Sequence, residues 1–240
     1  MSDRKASVLP NGVIVGVRVA LIALAALGVL SVSLRLMHPG DAASRLEPLR
    51  QWLLGTSEPT ADRVAEVAQF DGHFLAHRGL TALHIVPGGL FMLLLPVQLS
   101  RRIRERFAML HRWNGRVLIV LSVLAAAVGL YLGTVMPFAG IGESVVIAAV
   151  GAWFFVALGR AYAAIRRSDV AAHRKWVLRA IAVPVGVSVV RLVGAVSDLT
   201  LTPAGYPARV VFVVALWIGW AATLAATEWW IRRTEPRPAV

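Results

Sequence analysis

Six apolar runs, each about as long as a bilayer is thick, dominate this chain: residues 13–34, 79–99, 117–136, 145–165, 177–196 and 210–231. An α-helix rises 1.5 Å per residue, so roughly twenty apolar residues cross a hydrocarbon core of ~30 Å. One such run could be a buried helix of a water-soluble domain. Six of them in 240 residues of 58% apolar composition leave too little polar surface for that. The sequence therefore predicts an all-α, polytopic integral membrane protein with six transmembrane helices. The first run is longer than the apolar stretch of a signal peptide and no small-residue cleavage site follows it, so it is expected to stay as a helix.

The basic residues set the orientation. Residues 101–116 carry Arg101, Arg102, Arg104, Arg106, Arg112 and Arg116 against Glu105 alone, and residues 160–179 carry Arg160, Arg166, Arg167, Arg174, Lys175 and Arg179 against Asp169 alone. Two spans separate these connections, so both lie on one side, which the positive-inside rule makes cytoplasmic. Arg4 and Lys5 before the first span fall on that side too, as do Arg232, Arg233 and Arg237 after the last. Both termini are expected to be cytoplasmic. The long connection 37–78 then lies outside, where its four arginines are outnumbered by Asp41, Glu47, Glu58, Asp62, Glu66 and Asp71. Within it, Leu46, Leu49, Trp52 and Leu53 have the spacing of an amphipathic helix lying in the interface, and a second short helix is expected from Thr60 to about Phe70. The chain divides into 1–36 with the first span, 37–78, a four-helix core of spans two to five over 79–198, and 199–240 with the last span and a basic tail. The last span, with Trp217, Trp220 and Trp229, reads as facing lipid or a partner.

A net charge of +12 would suggest nucleic acid as partner of a soluble protein. Here it is concentrated in short loops beside membrane helices, so it points to topology and to anionic lipid instead, with no nucleic acid. The absence of cysteine rules out disulfides and thiolate metal sites. No phosphate-binding glycine loop, no nucleophile elbow and no pair of acids within a span is present, which leaves nucleotide hydrolysis and acyl transfer without candidate residues; proton-coupled transport is a weak third reading, because Glu143, Asp198 and Glu228 sit near helix ends and no acid lies mid-span.

A weak internal repeat runs through the core. The second and fourth spans are each followed by a basic connection that re-enters the membrane with His-Arg, a tryptophan and an arginine: His111-Arg112-Trp113-Asn114-Gly115-Arg116 and His173-Arg174-Lys175-Trp176. Two hairpins of like orientation are one explanation, and interfacial anchoring by Arg and Trp is the other. Taken with His84-Ile85-Val86-Pro87-Gly88-Gly89 and Pro96-Val97-Gln98, these motifs resemble a domain-of-unknown-function family of predicted bacterial membrane proteins over roughly residues 75–195. The resemblance implies a helical core in the cytoplasmic (inner) membrane of a bacterium and leaves the chemistry open. Six spans with histidines on the third and fifth also resemble the cytochrome b561 arrangement, although the fourth span here has no histidine.

Four residues are candidates for a site. His84 lies about 8 Å below the outer interface on a face with Thr81 and Gly88, beside Pro87, which frees the carbonyl of Leu83. Arg191 lies at similar depth in the fifth span, where an arginine is expensive and faces the interior with a partner: a bound anionic group such as a haem propionate, a quinone oxygen, a freed carbonyl near Pro184, or the outer interface by way of Asp198. His111 and His173 open the third and fifth spans at matching depth and could be the two iron ligands of haem b, or interfacial histidines bonded to loop carbonyls and lipid phosphates. His73 and His77, four residues apart, are a weak metal pair. Two functions follow: an electron-transfer protein binding haem b or a quinone, or a non-catalytic accessory or scaffold subunit of a larger membrane complex.

Overall fold

The computed structural model describes residues 11–56 and 58–234, and these fold into helices without a strand. In chain order they are α1 (Asn11–Met37), α2 (Glu47–Leu54), α3 (Ala61–Ala76), α4 (Arg78–Leu99), α5 (Arg101–Arg106), α6 (Ala108–Val135), α7 (Ile141–Arg166), α8 (Val170–Leu201) and α9 (Ala208–Thr234). α1, α4, α6, α7, α8 and α9 are long and apolar enough to cross a membrane. Arg4, Lys5 and Arg237, which the orientation argument uses, lie outside the described residues.

α4, α6, α7 and α8 follow one another around a ring that closes where α4 meets α8; α1 lies against α4 and α8, and α9 against α8 and α7. Phe91, Met92 and Leu95 of α4 meet Leu118 of α6, Val185 of α8 and Ala25 of α1 in one cluster. A second joins Val146 and Val150 of α7 to Val190 of α8 and Ala215, Leu216 and Trp220 of α9. Lipid tails are as apolar as these side chains, so association rests on close packing and on small residues that permit it. At Gly219 of α9, a Cβ would stand 2.7 Å from the Cα of Val190, a backbone atom that cannot yield.

α9 is thereby more than the lipid-facing helix its tryptophans suggest. Trp217 and Trp229 are about half exposed, but Trp220 turns inward, lies over Gly186 and donates from Nε1 to the carbonyl oxygen of Val183 at 3.1 Å.

α2 and α3 sit on one end of the bundle, and their charges hold them there. Arg50 donates to Asp198 at the end of α8 (2.6 Å) and to Glu47 (2.9 Å), and Arg63 reaches both Glu47 (3.2 Å) and Asp198 (3.0 Å). This leaves the apolar face of α2, with Leu49, Trp52 and Leu53, outward and exposed. Thr60 caps α3 by accepting from the Arg63 N–H at 3.3 Å. The helix runs past Phe70 to Ala76 because Phe70 and Phe74 stack on each other and Phe70 packs edge-on against Phe138, so the segment carrying His73 is helical.

The deepest tie at this end is Asp71, which is 1% exposed. Its carboxylate accepts from the Arg35 guanidinium at 2.7 Å, the N–H of Ala43 at 3.0 Å, and the N–H (3.1 Å) and hydroxyl (3.0 Å) of Ser44. Burial alone would push this carboxyl up, but the donors outweigh it and hold it below the ordinary aspartate value of 3.8. A depressed folded value means that the carboxylate's stabilisation is whole above about pH 4 and is lost as pH falls through the folded value. Asp71→Asn leaves Arg35 without its partner and is expected to cost about 3 kcal/mol, read as a lower midpoint of thermal unfolding in detergent at neutral pH. An unchanged midpoint would show that the clamp does not hold this end together.

Candidate functional site

His84 is fixed from a neighbouring helix. Its Nδ1 lies 2.8 Å from the carbonyl oxygen of Ala125 on α6, an acceptor, so Nδ1 carries the proton and the Nε2 lone pair is left without a partner among the described residues. The ring fits because residue 129, one turn further along α6, is glycine. A Cβ there would stand 2.6 Å from His84 Cε1. The Gly129/Gly133 pair thus serves two seams, Gly129 against α4 and Gly133 against Ile147 of α7.

Arg191 of α8 is the charged neighbour of His84. Its one hydrogen bond among the described residues is a long one, 3.4 Å, to the Val187 carbonyl of its own helix. Asp198, about 10 Å further along α8, is taken by Arg50 and Arg63. Arg35, the other charged neighbour, is a like charge already bound to Asp71. An uncompensated guanidinium and an imidazole lone pair therefore share the half of the bundle that faces α3.

His111 and His173 both lie toward the opposite end, the end that carries α5, and His173 is an electrostatic neighbour of His111. Their motifs are alike, but their surroundings are not. His173 Nδ1 lies 2.8 Å from the carbonyl oxygen of Ala161 on α7, which repeats the arrangement at His84. His111 Nδ1 is buried with no partner, and its Nε2 lies 3.5 Å from the side-chain nitrogen of Gln98. Gln98 is bound in turn by Asn114 (3.0 Å), which also donates to the Leu94 carbonyl (3.3 Å). The tryptophans diverge too: Trp113 is 58% exposed with Arg116 over its ring, whereas Trp176 is held between Arg160 and Arg179. Of the four candidate residues, His84 and Arg191 thus neighbour each other in one half of the bundle, and His111 and His173 lie toward the other.

The sequence motifs contained Gln98, Asn114 and Gly115 but gave no sign that they act on His111, since that requires the register of α4 against α6. His77 Nδ1 lies 3.0 Å from the carbonyl oxygen of His73, and among the described residues no three His, Asp or Glu side chains converge as a metal site.

A family model described as "Predicted membrane protein (DUF2306)" matches residues 81–231, and the chain belongs to that family. The match extends beyond the resemblance over 75–195 to take in α9, in keeping with its packing against α8. No curated protein and no solved structure matches the chain.

Gly129→Ala tests how His84 is held. The new methyl group must push the imidazole off the Ala125 carbonyl or part α4 from α6, and either is expected to cost about 1–3 kcal/mol in detergent unfolding. A fully stable variant with an unmoved His84 resonance would show that the ring does not depend on that space.

Proposed function

We propose that this family member is a membrane electron-transfer protein that binds a quinone-class carrier in its bundle at His84 and Arg191. The observation that supports this best is the state of Arg191: a charge within a span is costly, and this one has only a long bond to its own helix. A carbonyl oxygen placed beside it would complete its hydrogen bonding without adding a second buried charge. His84 complements it. The guanidinium donates to a carbonyl of the quinone form, and a hydroxyl of the quinol form can donate to the lone pair at His84 Nε2. In this reading the arginine-rich α5 end faces the bacterial cytoplasm and meets anionic lipid there.

Haem b, held by His111 and His173, is the other cofactor the sequence suggests. His173 suits an iron ligand, since its Nδ1 is engaged by a backbone carbonyl and its Nε2 lone pair is free for metal. His111 does not: the Gln98 amide nitrogen faces its Nε2, and its remaining nitrogen then carries the proton. The pair fails the condition that both imidazoles offer a lone pair to one iron, so no electron-transfer step is assigned to haem.

The test is to purify the whole chain with its native lipid, extract and quantify quinone per chain, and record a reduced-minus-oxidised spectrum of the same sample. Near-stoichiometric quinone is expected, with Arg191→Gln weakening its retention about tenfold or more, the value of one charge-assisted hydrogen bond. Folded protein with neither quinone nor haem would overturn this reading in favour of an accessory subunit.

A further inference from the structure

At the α3 end of the bundle Arg35, Arg50 and Arg63 each hold an acid, whereas Arg78 does not. Arg78 is exposed, and its guanidinium forms no hydrogen bond or ion pair among the described residues. No acid stands in the first turn of α4, which it opens.

Arg78 lines an open cleft of about 280 Å³ between the end of α1 and the start of α4. Arg35 lines it too, with Leu36 of α1, Phe74 of α3, and Ala82 and Ile85 of α4, and no acidic side chain does. Arg78, Ala82 and Ile85 follow one another at spacings of four and three, on one face of α4, so the cleft runs about 10 Å from a charged end to an apolar one. The two guanidiniums differ. Arg35 is paired with Asp71, which is 1% exposed, and lies 4.9 Å from the Phe74 ring centroid, while the charge of Arg78 is unmatched. The apolar end is walled by α1 and α4, both long and apolar enough to cross a membrane, and Leu36 there is 45% exposed.

We infer that this cleft seats one anionic phospholipid, with its phosphate on Arg78 and the upper part of an acyl chain along Leu36, Ala82 and Ile85. The planar fork of an arginine suits two phosphate oxygens at once. A free phosphate would satisfy Arg78 but leave the apolar wall uncovered. A zwitterionic headgroup would bring an ammonium for which the cleft has no acid, and the Phe74 ring already faces Arg35. Neither His84 nor Arg191 lines the cleft, so the lipid site stands or falls independently of quinone binding.

The chain has no cysteine, so Ala82→Cys places a single thiol in the cleft. The rate at which a water-soluble maleimide alkylates it is measured on the full chain in maltoside detergent, alone and with phosphatidylglycerol, phosphatidylcholine or inorganic phosphate. Phosphatidylglycerol is expected to slow the reaction and the other two to leave it unchanged. Adding Arg78→Gln should raise the half-protecting concentration of phosphatidylglycerol about tenfold or more, the worth of one charge-assisted hydrogen bond. The inference is overturned by absent protection, by equal protection from phosphatidylcholine or phosphate, by protection indifferent to Arg78→Gln, or by a thiol that is unreactive without lipid. A second variant leaves both arginines in place. Gly79 lines the same cleft and a Cβ there meets nothing within 4 Å, so Gly79→Leu narrows the cleft without striking the protein. Mass spectrometry of the intact protein should find one fewer phosphatidylglycerol retained per chain than in the wild type, and an unchanged number would overturn the site.

Discussion

In a hydrocarbon core no water completes a hydrogen bond, so every polar atom there must find its partner within the protein. Helices meet that demand for the backbone, and the side chains follow the same rule. Ser31, Thr134, Thr223 and Thr227 each return their hydroxyl to the carbonyl four residues earlier, and Trp220 borrows the Val183 carbonyl across the α8–α9 seam. Against this background the exceptions stand out. Among the described residues Arg191 is barely bonded and neither His111 Nδ1 nor Trp153 Nε1 is bonded at all, and these are places where the chain carries a polar cost that packing does not relieve.

Close approach is the second consequence of a lipid solvent. Gly219 lets α9 come up to the backbone of Val190, and Gly186 leaves room for the Trp220 ring that crosses the same seam. Gly129 serves a different end, because the atom it accommodates is part of a titratable ring. Of two glycines four residues apart on α6, one sets helix packing and the other seats the His84 ring, and the partner helix decides which.

The six spans were legible in the sequence because length and hydropathy act locally and α8 needs no knowledge of α2 to be a helix. Most of the polar contacts were not legible. Asp198 looked like a possible aid to Arg191, seven residues away, but its partners are Arg50 and Arg63, far earlier in the chain and brought over by α2 and α3. α3 outran its expected end at Phe70 because the aromatic packing that prolongs it involves Phe138, beyond α6. His111 and His173 were indistinguishable as motifs; only the folded bundle offers the Ala161 carbonyl to one ring and the Gln98 amide to the other. Sequence located the candidate residues, and their roles depended on what the next helix presents to them.

The two ends of the bundle answer charge in opposite ways. At the α3 end, Glu47 and Asp198 match Arg50 and Arg63, and Asp71 matches Arg35, so these charges pair off within the cap and tie it to the bundle. At the α5 end Arg101 finds Glu105 and Arg179 finds Glu228, but acids are too few there for the remaining arginines. The cap charges thus pair off at one end of the bundle, and an excess of arginine is left at the other. Arg191 and His84 lie between these ends, on two of the helices long and apolar enough to cross a membrane, where a missing partner matters most.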